Sequence, residues 1–161
     1  MKEKEYLLEE ISYLDKENSR VMESVLKSWF QEPKTLNFVS PSLTFPFQFR
    51  QWVKKYYSLD ENKIASFIIR NKKWIVGHGS IQLDDHTAQI FHVFIDKEFR
   101  RKRLARLLID NLEKIGIKKE VNEFTINIVK KNTNAIKLCE ELGYIRETKS
   151  INKIIKMKKI I

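Results

Sequence analysis

One cysteine, three histidines, four glycines and three prolines are all this chain of 161 residues contains of those types, and each scarcity removes a class of protein. A lone thiol, Cys139, excludes an internal disulfide and leaves no CxxC pair for a redox or zinc-ribbon site. His78, His86 and His92 do not fall at metal-ligand spacing, so no metal is expected. The shortage of glycine and proline argues against low complexity. No stretch approaches the ~18 consecutive apolar residues of a membrane span. The opening residues, MKEKEYLLEE, lack the apolar run of a signal peptide, so a cytoplasmic protein with no membrane partner is expected. Acidic residues are short as well. Against 31 Lys and Arg stand 21 Asp and Glu, and the net charge of +10 favours an anionic partner, whether nucleic acid, an anionic membrane or a phosphorylated small molecule, unless lysine is merely abundant.

What is present fits a folded domain. Hydrophobic residues make up 42% and charged residues 32%, a balance that lets a chain of this length bury a core, and one domain over residues 1–161 is expected. Residues 6–14 (YLLEEISYL) predict a first strand. Asp15 or Asn18 then caps a helix with Val21, Val25 and Trp29 on one face, ending near Phe30. Pro33, Pro41 and Pro46 punctuate an irregular connection, and Phe49, Trp52, Val53 and Tyr56 mark a second amphipathic helix. From Lys63 the period changes to that of strands. IASFIIR, KWIVGHGSIQL and TAQIFHVFI, separated by turns at Asn71-Lys72 and Asp84-Asp85, predict a three-stranded antiparallel meander, with Gly77 and Gly79 marking a bulge or a close backbone approach. Leu104, Leu107, Leu108, Leu112 and Ile115 form the stripe of a helix closed by Gly116. The strand FTINIV follows, and a strand, helix and strand in one sheet imply a right-handed parallel crossover. Asn132 opens a last helix that Gly143 stops, and the tail YIRETKSINKIIKMKKI predicts two short strands.

The chemistry concentrates in residues 97–106. Lys97, Arg100, Arg101, Lys102, Arg103 and Arg106 stand there against one acid, Glu98, at the start of a predicted helix. A helix N-terminus presents free N–H groups and the positive end of its dipole, so cations gathered there are unfavourable unless an anion neutralises them. A diphosphate would do so, with arginine offering bidentate geometry; a solvated basic face is the plainer alternative.

The run IDKEFRRKRLARLLIDNLEKIG resembles the coenzyme A signature of the GCN5-related N-acetyltransferases (GNAT), Arg/Gln-x-x-Gly-x-Gly/Ala, with Arg100 in its first place and Ala105 in its last. Thirty residues on, NTNAIKLCEELGY resembles the later motif of that family, with Asn132, Ala135, Ile136, Leu138, Glu140, Leu142, Gly143 and Tyr144 in step. The resemblance spans residues 89–145. It implies an α/β (α+β) fold with a mixed, mostly antiparallel central sheet of six to seven strands, flanked by about four helices, whose parallel fourth and fifth strands splay apart. It implies acetyl-CoA as cofactor. Val93, Phe94 and Ile95 would meet the pantetheine arm; Arg100, Arg101, Lys102, Arg103, Leu104, Ala105 and Arg106 would hold the pyrophosphate; Asn132 would contact the cofactor. The reaction implied is direct attack on the thioester by a primary amine of a small molecule or protein, in a monomer or homodimer, with no specific nucleic acid.

Three positions depart from the family pattern. Arg103 replaces an inner glycine, and right-handed helical geometry is expected to accommodate its Cβ. Cys139 stands where many members carry a tyrosine that protonates the departing thiolate; it serves as that acid or only fills space. Gln89 and Asn127 occupy strand positions where members often carry a glutamate base, which leaves a water chain ending at His92, His78 or a backbone carbonyl. Trp29, Phe30, Phe45, Phe47 and Trp52 lie where the family builds its acceptor side, or belong to the core. A coenzyme A-binding domain without turnover and a basic nucleic-acid binder remain as alternatives.

Overall fold

In a computed structural model describing residues 5–58, 60–147 and 152–161, the chain builds one seven-stranded sheet in the order β1-β2-β3-β4-β5-β7-β6. The strands are β1 (Tyr6–Ile11), β2 (Ile64–Asn71), β3 (Trp74–Asp84), β4 (Thr87–Ile95), β5 (Glu123–Val129), β6 (Ile145–Arg146) and β7 (Ile154–Ile160). Every pairing is antiparallel except that of β4 with β5, which the crossover helix α4 (Leu104–Lys118) connects. Helices α1 (Lys16–Trp29), α2 (Pro33–Val39) and α3 (Phe49–Tyr56) cover one face around Leu26, Leu36, Trp52 and Ile68, while α4 and α5 (Thr133–Glu141) cover the other around Ile90, Leu112, Phe124 and Ile136. The mixed, mostly antiparallel architecture with one parallel pair is the one the sequence implies. Among the described residues, no helix is long and apolar enough to cross a membrane.

Local chemistry explains most boundaries. The Asp15 carboxylate accepts from the Asn18 N–H at 2.8 Å and caps α1, while the Asn18 side chain accepts from the Ser12 N–H at 2.9 Å and ends β1 three residues before the predicted Leu14. Positive φ angles at Lys72 and Asp85 turn the two hairpins. Within the connection predicted to be irregular lies α2, a helix of 7 residues started by Pro33 at its first position, where the missing N–H costs nothing. The tail does form β6 and β7; its residues 148–151 lie outside those described.

Gly116 does not close α4, which runs two residues further and ends in a left-handed Glu120 (φ 66°). Its role is close approach: a Cβ there would lie 2.5 Å from Phe124 Cε1. The helix is also rotated from the predicted stripe. Leu107 is 37% exposed, whereas Glu113 is buried, accepting from the Tyr144 hydroxyl at 2.7 Å and from Lys159 Nζ at 3.0 Å.

Two register shifts interrupt the sheet: between β2 and β3, Ile69 pairs with Gly77 and Arg70 with Ile75, leaving Val76 as an extra residue beside Gly77, and the other shapes the site. The β3–β4 register shifts between His78 and Ser80, and opposite that shift His92 adopts φ 53°, a β-bulge in β4. Ala88 and Ile90 face α4 and α5; Phe91 and His92 both turn to the α1–α3 face; Val93 and Ile95 return to α4. A buried hydrogen-bond network holds the bulge. Because a carbonyl only accepts, His78 Nδ1 carries the proton it donates to the His92 carbonyl at 2.8 Å, and its Nε2 accepts from the Tyr13 hydroxyl at 2.9 Å. His92 Nδ1 meets the Tyr57 hydroxyl at 2.8 Å and Nε2 meets Ser40 Oγ at 3.0 Å, while the ring stacks on Trp52 with centroids 3.9 Å apart. Tyr57 continues to Ser80 at 2.9 Å and Ser80 to Ser66 at 2.8 Å.

Burial pushes the His78 imidazole down to about 4 and drives His92 well below the ordinary range, the nearby His78 adding to the latter. Both rings are therefore neutral in the fold. The unfolded chain takes up these protons first, so stability is complete above about pH 6.5 and falls as pH drops from there toward 4, by on the order of 3 kcal/mol for His78. Urea midpoints measured between pH 7.5 and 4 should show this slope, and His78→Gln should flatten it. Gly116→Ala should cost roughly 1–3 kcal/mol through overpacking against Phe124, read as a lower urea midpoint at unchanged m-value.

Candidate functional site

The parallel pairing of β4 with β5 extends only from Thr87↔Glu123 to Ile90↔Ile126. Past the bulge, β4 continues through Val93, Phe94 and Ile95 while β5 continues through Asn127, Ile128 and Val129 without pairing to it. On its other side β5 stays bonded to β7 as far as Val129↔Ile154, and β4 stays bonded to β3 as far as Gly77↔Ile95. The sheet therefore opens as a wedge between two otherwise regular strands, and backbone polar groups line it without neighbours to satisfy them. Val93 is half-buried and turned to α4; the Phe94 ring packs with Trp29 and Phe30 on the opposite face.

At the wide end of the wedge the chain passes through a 3-10 turn, Lys97–Phe99, and a loop into α4. Asp96 organises this passage: it accepts from the Glu98 N–H at 3.1 Å and from the Trp29 indole at 3.3 Å, tying the loop to α1. Arg100 is anchored rather than free. Its Nε donates to the Ile95 carbonyl at 3.0 Å and its guanidinium lies 5.4 Å from the Phe94 ring centre. The Ile95 carbonyl is thereby occupied, and Phe94 pairs with His78 of β3 in the same register that bonds the Asp96 N–H to the Val76 carbonyl, which leaves Val93 as the wedge residue with backbone to offer.

Beyond Arg100, the backbone alternates. Arg101 (φ 64°) and Arg103 (φ 59°, the residue preceding α4) are left-handed, and Lys102 between them is not. Right-handed geometry at Arg103 is thus not what the structure adopts: the residue keeps the conformation glycine would have, at a cost of roughly 1–2 kcal/mol. Alternation of this kind turns successive N–H groups toward one concavity, an anion-binding nest. Among the described residues, no backbone or side-chain group accepts from the N–H groups of Arg101, Lys102, Arg103, Leu104, Ala105 or Arg106. Arg101, Lys102 and Arg103 are exposed, and Arg106 forms a loose 3.5 Å pair with Glu141.

The remaining expected residues divide between the two faces. Asn132 caps α5, its Oδ1 accepting from the Ala135 N–H at 3.4 Å, and its amide nitrogen has no partner among the described residues. Cys139 is buried among Ile109, Leu112, Ile136 and Met157, and burial with Glu113 nearby pushes its thiol up to about 12, so it is protonated at neutral pH. Asn127 is exposed and Gln89 half-buried on the α1–α3 side. His92 lies beside them, yet both its ring nitrogens are engaged.

A cleft of about 650 Å³ opens on that same side, bounded by α2, by the loop carrying Leu43 and Phe45, and by Lys131 two residues past β5. Of the five aromatics expected near an acceptor, Phe30 and Trp52 are core, Trp29 and Phe47 pack against it, and Phe45 alone lines the cleft. Lys34 and Phe38, also in its lining, lie on α2, within the stretch whose prolines predict an irregular connection, and Lys131 lies in the short link between β5 and α5, where it carries no sequence signal. Pro33 followed by Leu36 was the only signal for α2.

Comparison with known proteins gives this geometry its relatives. The chain matches the model of the acetyltransferase (GNAT) family over residues 23–144. A search of curated proteins gives no match. Among solved structures, the GNAT domain of PAT from S. lividans is similar at a TM-score of 0.78 and 8% identity, covering 96% of this chain and 89% of that one. The PaiA N-acetyltransferase of Thermoplasma acidophilum, solved in complex with coenzyme A, is similar at 0.71 and 14%, covering 97% and 99%. Spermidine N-acetyltransferase of Vibrio cholerae, solved with coenzyme A and spermine, is similar at 0.69 and 16%, covering 97% and 95%. With a family match over most of its length and the splayed β4–β5 wedge in its sheet, the chain belongs to the GNAT acetyltransferases.

Proposed function

We propose that the protein is an N-acyltransferase that binds acetyl-CoA along the wedge and passes the acyl group to a primary amine by direct attack. The observation that carries this reading is the row of unpartnered N–H groups over residues 101–106, set at the mouth of an unpaired stretch of sheet. The residues present fit the cofactor. The nest and the first turn of α4 offer donors to a diphosphate, the Arg101, Lys102 and Arg103 side chains add positive charge, and the Val93 backbone offers strand-like bonds to an extended amide-bearing arm. Asn132 has its amide nitrogen to contribute. The bound cofactor supplies an acyl thioester as electrophile.

The chain's own contribution is positioning. Cys139, buried among Ile109, Leu112, Ile136 and Met157 and held protonated there, fills space rather than serving as the acid, and the leaving thiolate takes its proton from water. On the amine's side, Gln89 and Asn127 orient by hydrogen bonding and accept no proton at neutral pH. His92 acts as a positioning residue, since Tyr57 and Ser40 already occupy its nitrogens, and holding the bulge keeps the wedge open. The amine thus arrives neutral or releases its proton to water.

Calorimetric titration with acetyl-CoA tests the cofactor site. Arg103→Gly should stay within about 1 kcal/mol of the parent in stability, because relieved strain and added chain entropy are of similar size, and should bind acetyl-CoA within tenfold of the parent, because the grip is by backbone. Arg103→Pro, whose φ is incompatible with the nest, should abolish binding while a circular-dichroism spectrum reports the fold. Failure of the parent chain to bind acetyl-CoA would sink the reading. Binding without thiol release from any amine would instead favour a coenzyme A-binding domain without turnover. With no side-chain base, kcat/KM should keep rising with pH toward the acceptor amine's own pKa; a plateau above a pKa of 6–7 would point to a titrating side chain.

A further inference from the structure

The cleft on the α1–α3 face carries two lysines and no acid. Its charged lining residues are Lys34, on the first turn of α2, and Lys131, just past the end of β5. Among the described residues neither forms an ion pair within 4 Å. Both ammonium groups border one cavity that has no carboxylate in its lining, Lys34 Nζ lying 5.6 Å from the Phe38 ring centre, and an anion in the cavity would gain from both.

Apart from Asn37, the rest of the lining is apolar and aromatic. Phe38 and Leu43 are half-buried, Phe45 is 39% exposed, and the volume, about 650 Å³, is that of a small-molecule pocket. The cleft also adjoins the unpaired strands: α2 packs on β4 and β5, and its C-terminal Ser40 is bonded to His92 in the bulge. A ligand held there lies across the sheet from α4 and α5, so its amine faces the wedge from the side opposite those helices.

We infer that the acceptor is a primary amine bearing an anionic group, a carboxylate or phosphate, on an apolar or aromatic body, with Lys34 and Lys131 binding the anion and Phe38 and Phe45 the body. This rests on the acyltransfer reading and narrows its acceptor. A polyamine is excluded by the same charges, since each of its ammonium groups would meet a lysine with no carboxylate in the lining to offset it.

The test compares L-phenylalanine with phenethylamine, which lacks only the carboxylate, alongside 3-aminopropylphosphonate and spermidine, on the full chain. Resonances of the ¹⁵N-labelled protein, recorded with and without coenzyme A, should shift at Lys34, Phe38 and Lys131 with the two anionic amines and not with the two cationic ones. Lys34→Gln and Lys131→Gln should each weaken that binding about tenfold, and in turnover should raise KM for the anionic amine by a similar factor with kcat little changed. Preference for spermidine or phenethylamine, or an absence of shifts with the anionic amines, would overturn the inference while leaving acetyl-CoA binding as found. If the lysine variants instead weakened acetyl-CoA binding, the cleft would belong to the cofactor and the inference would also fail. Loss of acetyl-CoA binding in the parent chain would strike the acyltransfer reading, and the resonance shifts would still decide the acceptor's charge.

Discussion

A single residue in the left-handed region, His92, sets the geometry on which the site depends. A regular β4 would pair with β5 along its length and leave no opening. By placing Phe91 and His92 on the same face, the bulge ends the pairing at Ile90 and sends the strand away from β5, whose own direction is held by seven pairs to β7. Such an irregularity persists only if the surroundings over-determine it. Here they do: the His92 carbonyl, both ring nitrogens and the ring face are each engaged, by His78, Tyr57, Ser40 and Trp52 respectively. Those four partners come from β3, from α3 and the residue just after it, and from the residue just after α2, so the packing of the α1–α3 face and the opening of the sheet are one event.

The second constraint is electrostatic. A chain with +10 net charge concentrates cations where α4 begins, the end of a helix that least favours them. Two arginines there also adopt a conformation that costs each of them energy. Neither choice improves stability, and conflict between local preference and adopted structure gathers at functional sites. The left-handed backbone at Arg103 shows that the glycine of the family pattern is replaced in side chain but not in conformation.

Much of this was legible in the sequence, for reasons that differ by element. The meander from Lys63, the crossover helix and the strand after it follow from hydrophobic period, which burial enforces directly. The cradle was legible because six cations in ten residues at a strand-to-helix junction is a pattern few structures would need. Gly77 does mark a register shift and a close approach in β3, but the bulge that opens the wedge is in β4, and a single histidine's φ leaves no trace in composition. The helix α2 was hidden by the prolines around it, and with it went Lys34 and Phe38. Glu113 was hidden because a charged residue inside a helical stripe is assigned outward unless its partners, Tyr144 and Lys159, are known to lie thirty-one and forty-six residues away.

The burial of Cys139 has a practical side. As the chain's only thiol, packed under α4 and α5 with its ionisation pushed up to about 12, it presents almost no thiolate to solvent at neutral pH. Disulfide reagents added to the native protein would therefore meet a background close to zero, and the colour that develops would count coenzyme A alone. The same reagents would become a clock for opening of the α4–α5 layer, since Cys139 reacts only when that layer parts from the sheet.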